Sequence, residues 1–390
     1  EDIDPRAAGQ ARYIQNHGAY PVYRHQYSKF YPLGDVAFPD MLKELEQAER
    51  FIFLEYFIIE AGTMWNSILD ILIRKAKAGV DVRLIYDDFG CIFRLPKDFV
   101  QQMAALGIKV QRFHPIKPML APIMNYRDHR KLMIIDGHTG FTGGINLADE
   151  YTNVVEKYGH WKDSAFLLKG EAVWSLTVMF LAMWEYLSGQ PDNLDDFRPP
   201  FREDPVPTGG FVQPFADNPL DDETVSETVY INVINRAKDY VYIDTPYLIL
   251  DSEMLTALCA AAKTGVDVRI ATPHIPDKPL VHAVTRSYYL PLLQSGVRIF
   301  EYTPGFLHTK AVVADDQVAV VGTVNLDYRS LYMAFEDAVW LYGTESVLQI
   351  RDDFLDTLRL CQEVRLADYE NIPALQRAKW SLLRLLAPIL

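Results

Sequence analysis

The sequence predicts an α/β protein built as two tandem repeats, and three observations carry that prediction. An order of helices and strands recurs, a short string of residues recurs almost unchanged, and a set of polar residues recurs at a constant offset of 179. In the first copy a helix is expected over residues 39–50, followed by the apolar strand Phe51-Ile52-Phe53-Leu54. A second helix over 63–78 carries Met64, Trp65, Ile68, Leu69, Leu72, Ile73 and Ala76 on one stripe. Gly79 ends it, in the position where a left-handed backbone costs glycine least. The strand Val80-Asp81-Val82-Arg83-Leu84-Ile85 follows.

The later copy runs through a helix over 224–238, strand 240–243, a helix over 252–264, Gly265 and strand 266–270. Ala78-Gly79-Val80-Asp81-Val82-Arg83 is answered by Thr264-Gly265-Val266-Asp267-Val268-Arg269, and Gly107-Ile108-Lys109-Val110 by Gly296-Val297-Arg298-Ile299. Strand and helix alternating in this way, twice, implies layered α/β halves. Residues 172–184 read as a buried core helix closed by Glu171 and Glu185. The expected organisation is an N-terminal segment over 1–37, a first domain over 38–191, an acidic Pro-rich linker over 192–227, a second domain over 228–366 and an amphipathic segment over 367–390.

Composition narrows the function classes. Lys and Arg number 38 against 52 Asp and Glu, a net charge of −14, and 49% of the residues are hydrophobic. That is a globular composition rather than a disordered one. Its acidity disfavours a general nucleic-acid binder, which carries a basic footprint. The charge is unevenly spread, however. Residues 192–227 hold ten acids and two bases, whereas 94–131 hold eight bases and two acids. A small anionic ligand held by local cations therefore remains compatible. Cys91, Cys259 and Cys361 are too scattered for a disulfide framework or a zinc site, and suit a reducing, cytosol-facing environment. The first residues do not read as a signal peptide, and no stretch reaches the ~18 apolar residues that span a bilayer.

The chemistry is carried by the element at the end of the basic segment. His129-Arg130-Lys131 is followed by Asp136 and Gly143-Gly144-Ile145-Asn146, and His308-Thr309-Lys310 by Asp315 and Gly322-Thr323-Val324-Asn325. His160-Trp161-Lys162 shows that a lone His with Lys two later arises by chance, since it lacks the Asp and the Asn. Two complete copies in register do not. His and Lys two apart project from one face of a strand. Pseudo-twofold packing of the halves then gathers two His, two Lys and two Asn. Such a group suits a phosphodiester: Lys and Asn hold non-bridging oxygens, one neutral His attacks phosphorus, and the other, protonated, serves the leaving oxygen. No metal or other cofactor is required. Asp136 and Asp315 are expected to be supporting or structural, and Asn146 and Asn325 to contact oxygens, although turn positions would also fit them.

At these residues the chain resembles the phospholipase D superfamily. With the runs Asn125–Lys131, Gly305–Lys310, Gly322–Ser330, Asp244-Thr245-Pro246-Tyr247, His160–Asp163 and Phe335-Glu336, it is similar within it to the bacterial cardiolipin synthases. The resemblance implies two phospholipase D-like repeats, each a mixed sheet flanked by helices. It also implies transfer of a phosphatidyl group between two phosphatidylglycerols, giving cardiolipin and glycerol through a phosphohistidine. By the same resemblance His129 is the nucleophile, His308 the general acid, Glu336 the carboxylate that orients a catalytic His with Asp163 as counterpart, and Tyr247 a substrate contact. Hydrolysis, another phosphatidyl transfer, or a superfamily nuclease are the alternatives. The implied location is the cytosol-facing surface of the bacterial membrane. Relatives commonly carry two N-terminal membrane helices, absent from this chain, so an upstream anchor is expected to be missing; Ala334 also stands where many have Asn. Two segments are expected to touch lipid: residues 374–390, with Leu375, Ala378, Leu382 and Leu386 opposite Arg377, Ser381 and Arg384, and residues 115–124.

Overall fold

The computed structural model describes residues 4–24, 26–115, 125–199, 209–370, 372–373, 380 and 382–385, except the side chains at 6 and 370. Residues 116–124 and most of 374–390, both expected to meet lipid, lie outside the described residues. Two mixed β-sheets form the frame. The first runs, edge to edge, through Tyr27–Tyr31, Ala165–Lys169, Thr139–Gly143, Lys131–Ile135, Phe51–Tyr56, Asp81–Asp87 and Lys109–Phe113. The second repeats that order with Phe211–Asp217, Ala334–Tyr342, Val318–Gly322, Ala311–Ala314, Tyr240–Asp244, Asp267–Pro273 and Arg298–Tyr302. In each, a central strand pairs parallel on one side and antiparallel on the other: Phe51 faces Asp81 and Tyr56 faces Lys131, while Tyr240 faces Asp267 and Asp244 faces Ala311.

Strands buried on both faces read as continuous apolar runs, and alternate residues feed different cores. In the first sheet Ile52, Leu54, Met133 and Ile135 point to an outer core under the helices Gly34–Glu46 and Thr63–Lys77. Phe51, Phe53, Leu132 and Ile134 point the other way, into a middle core shared with Ala311, Val313, Val321 and Val339 of the second sheet. The helices Val173–Ser188 and Glu345–Leu358 supply the rest of that shared core, where Phe180 stacks on Phe53 at 4.5 Å. The second half has its own outer core under Val225–Arg236, Ser252–Lys263 and Pro279–Gln294, to which the N-terminal helix Pro5–His17 adds Ala7, Ala11 and Ile14.

Two boundaries differ from expectation. Each half begins one strand earlier: Tyr27–Tyr31 falls inside the expected N-terminal segment, and Phe211–Asp217 inside the expected linker. The Pro content of 192–227 concealed the second of these. Pro214 faces Val339 across the ladder, and the pairing with Tyr23–Arg24 on the other side covers only Phe211 and Val212. Pro214 therefore removes no ladder bond there, which is the condition under which a strand accepts proline. The helix expected over 39–50 runs over Gly34–Glu46, with Pro39 inside it rather than at its start.

Asp136 and Asp315 are structural in the same way. Both sit at the far end of the His/Lys strand with φ of 54° and 53°, a left-handed conformation that Asp tolerates better than most residues. Asp136 accepts hydrogen bonds from the backbone N–H of Glu49, Arg50 and Phe51; Asp315 accepts them from Lys238, Asp239 and Tyr240. Each carboxylate thus pins the turn that leads into the central strand of its sheet. Asp136→Ala is expected to cost about 2 kcal/mol in urea denaturation, since it strands the buried Phe51 N–H and loosens the turn before it, and Asp136→Asn less. An unchanged midpoint in the Ala variant would remove this role.

Candidate active site

The two His/Lys pairs meet between the halves, and each is delivered from a strand stitched to the other half. Arg127–Asp128 pairs in parallel with Ala334–Phe335, and the His129 N–H donates to Phe335 O at 2.9 Å. Gly305–Leu307 pairs in parallel with His160–Lys162, and the His308 N–H donates to Lys162 O at 2.7 Å. His and Lys therefore do not share one regular strand, contrary to the spacing argument. The chain leaves a short strand on the partner half at His and enters its own sheet at or just after Lys. The extended link between preserves the two-residue spacing.

The carboxylates cross over as well. His129 Nδ1 lies 2.9 Å from Glu336 Oε1, and His308 Nδ1 lies 2.6 Å from Asp163 Oδ2. Glu336 and Asp163 are fully buried, which an acid accepts only with partners. With Nδ1–H donated to a carboxylate, the free nitrogen of each ring is Nε2. The residue aligned across the repeats accommodates the different acids. Gly144 leaves space that a Cβ would deny, 2.0 Å from Asp163 Oδ1, whereas Thr323 in the second copy donates its hydroxyl to Glu336. Aromatic rings complete the walls: Phe57 stands edge-on to His129 at 5.2 Å, and Tyr151, Trp161 and Phe306 surround His308 at 5.4–5.8 Å.

Both asparagines are buried with their amide nitrogens already engaged. Asn146 donates to the Tyr151 hydroxyl at 2.8 Å, and Asn325 to the Ser330 hydroxyl at 3.0 Å, five residues on in each case. Asn146 Oδ1 accepts from the Ile58 N–H at 2.9 Å. These bonds hold both side chains in the wall beside the histidines, and each amide nitrogen carries a second N–H, so the expected contact with a substrate oxygen is compatible with them. Tyr247 is half-buried, with its hydroxyl on Asp277 at 2.6 Å and its ring under the Lys278 ammonium at 4.9 Å. Asp163 and Glu336 thus come together with the histidines and lysines, whereas Asp136 and Asp315 stand apart.

Sequence reasoning missed Asp337, Arg130 and Lys278. Asp337 accepts from Thr142 Oγ1 beneath the site, and Arg130 bridges the buried Glu55 at 2.6 Å and Asp128 at 3.1 Å. Acids inside the apolar run from Ala334 to Tyr342 were the available signal for Asp337. Lys278 bears on His129 only through the tertiary fold, and no local pattern marks it.

Burial dominates the electrostatics. It pushes the His308 imidazole down to about 4, helped by Lys310 and opposed by Asp163, and holds His129 well below the ordinary range, helped by Lys131, Lys310 and Lys278. It also lowers Lys131 to about 8 and Lys310 to about 7, and raises Glu336 to about 7. These groups compete for charge in a dry pocket, and an anion resolves the competition by favouring the protonated lysines. Binding of a soluble phosphodiester such as glycerophosphoglycerol at pH 7.5 is therefore expected to take up protons. Calorimetry in buffers of different ionisation enthalpy reads this directly. Lys310→Met should abolish most of the uptake; heats independent of buffer would contradict the lowered lysines.

Residues 41–184 and 230–358 match the family model described as "Cardiolipin synthase, PLD-like domain". The chain is 37% identical over 374 residues to a cardiolipin synthase of Alkalihalophilus pseudofirmus, covering 96% of this chain and 74% of that protein. It is 38% identical over 358 residues to cardiolipin synthase 2 of Bacillus anthracis, covering 92% and 69%. Among solved structures, the phosphatidylserine synthase of Haemophilus influenzae Rd KW20 shares the fold, with a TM-score of 0.72 at 15% identity, covering 98% of this chain and all of that one.

Proposed function

Because the chain belongs to the cardiolipin synthase family of phospholipase D-like proteins, we propose that it is a phosphatidyltransferase that joins two phosphatidylglycerols into cardiolipin and releases glycerol. The observation that carries this reading is the crossed pair of imidazoles, each fixed by a buried carboxylate from the opposite half, with two lysines beside them. Such a site handles a phosphodiester by two sequential displacements.

In the first, His129 Nε2 attacks phosphorus; the bond to the terminal glycerol oxygen breaks, and that oxygen takes a proton from His308. In the second, the terminal hydroxyl of another phosphatidylglycerol gives its proton back to His308 and attacks phosphorus, and the P–N bond breaks. Lys131 and Lys310 balance charge on the non-bridging oxygens. Asymmetry supports this division of labour. His129 is the more exposed ring, with 15% of its side chain accessible against 8% for His308. His308 keeps the shorter carboxylate contact, which raises its basicity and suits it to hold a proton once an anion is bound. Glu336 and Asp163 act by orienting the rings and stabilising their charged forms. A phospholipid substrate places the working enzyme at a membrane surface. No helix among the described residues is long and apolar enough to cross a membrane.

Vesicles of headgroup-labelled phosphatidylglycerol test the reaction. Cardiolipin and free glycerol are expected; phosphatidic acid in place of cardiolipin would make the enzyme a hydrolase. Acid quenching of vesicles labelled in the acyl chain tests the roles. His308→Asn should trap phospholipid on the protein while slowing turnover roughly 10²–10⁴-fold, and His129→Ala should trap none. The opposite pattern would exchange the two histidines.

A further inference from the structure

Beside the active-site mouth the chain exposes three large apolar side chains within five residues. Phe89 is 55% exposed, Ile92 42% and Phe93 96%. Single exposed apolar residues are ordinary, but a contiguous set on one short turn is a docking feature. The turn is firmly held. Asp87 accepts from the N–H groups of Phe89 and Gly90, and the Ile59 N–H donates to the buried Cys91 sulfur at 3.3 Å. Gly90 packs so closely on Phe57 O that a Cβ would lie 2.0 Å from it. The apolar tips are therefore a rigid projection.

This projection is tied to the catalytic residues on two sides. The Phe57 ring, whose backbone the turn packs against, is the edge-on neighbour of His129 at 5.2 Å. The Arg127 guanidinium, two residues before His129, lies over the Phe89 ring at 4.6 Å. Charged groups flank the patch as well. Lys97 is exposed four residues beyond Phe93, and Arg112 lies 3.7 Å from Asp88. Apolar tips with the Arg127 guanidinium laid against them match the depth profile of an anionic interface, with acyl chains below and phosphates above.

We propose that the turn Phe89–Phe93 is a wedge that inserts into an anionic phospholipid bilayer and sets the mouth of the site against the headgroups. This surface rests on the proposed lipid function and adds which part of the protein meets the membrane. Insertion to the acyl boundary places Arg127, which lies over the Phe89 ring, at phosphate level. His129 then stands a short distance above it, where a lipid headgroup reaches the site without leaving its leaflet.

The full chain is tested with vesicles of phosphatidylglycerol and of phosphatidylcholine. Replacing Ile92 and Phe93 together by Ser is expected to weaken sedimentation with phosphatidylglycerol vesicles roughly tenfold or more. Cardiolipin formation on those vesicles should fall in parallel, while turnover of monomeric short-chain phosphatidylglycerol stays unchanged. Leu360→Ser, which removes a side chain 53% exposed on another part of the surface, should alter neither. Phe93→Trp should gain fluorescence quenching by brominated phosphatidylglycerol beyond that of the wild type. Unaltered sedimentation of the double variant, or no added quenching at Trp introduced here, overturns the wedge; so does equal binding to the zwitterionic vesicles for its anionic selectivity. Failure of the wild type to make cardiolipin from either form of substrate overturns the proposed reaction instead, because quenching is read without turnover.

Discussion

The exchange of imidazole and carboxylate between the halves is the interaction on which the rest depends. Neither half holds a complete His–carboxylate pair: His129 needs Glu336 and His308 needs Asp163. Both acids are fully buried, so an unpaired one would carry a large desolvation cost. The same seam is reinforced by the crossed strands, with Arg127–Asp128 on Ala334–Phe335 and Gly305–Leu307 on His160–Lys162, and by a single middle core fed from both sheets. The two rings are thereby fixed relative to one another as closely as residues within one domain. A two-step displacement at one phosphorus requires that, since one ring attacks phosphorus while the other meets the leaving or entering oxygen on its opposite side.

Burial that fixes the geometry also sets the charge. Burial presses both histidines and both lysines towards their neutral forms and raises Glu336. The site therefore does not carry a permanent cluster of positive charge that would repel its own members. It acquires cationic character when an anion arrives, and the binding of substrate and the protonation of its general acid become one coupled event. The net charge of −14 is no obstacle to this, because the relevant potential is created locally among buried groups.

Much of the fold was legible because duplication writes the same physics twice. The offset of 179 singled out His129, Lys131, His308 and Lys310 from other polar residues, and the recurring Gly-Val-Asp-Val-Arg string fixed the strands around them. What escaped was carried by tertiary context. Phe211–Asp217 reads as linker because of Pro214, and only the near-vacant far side of that strand makes the proline harmless. Asn146 and Asn325 share matched positions, and each also donates to a hydroxyl five residues later, a partner that the spacing did not reveal. A repeat marks a position as constrained without saying whether the constraint is catalytic or structural. Nor does sequence spacing reveal that each carboxylate serves the histidine of the other half.

Transfer and hydrolysis differ only in which hydroxyl reaches the proposed phosphohistidine, so the surroundings of His129 decide between them. Its ring is mostly buried beside Phe57, and the opposite ring is enclosed by Tyr151, Trp161 and Phe306. An apolar enclosure gives water few partners, whereas a lipid headgroup can be guided by the surface that holds the enzyme. If the wedge at Phe89–Phe93 seats the mouth on the leaflet, donor and acceptor lipids approach from the same plane. The second displacement then becomes a local encounter between a fixed phosphorus and a concentrated alcohol. On that view specificity for an alcohol acceptor does not need a dedicated binding pocket for it. It follows from closing the site to bulk water while leaving it open to the membrane.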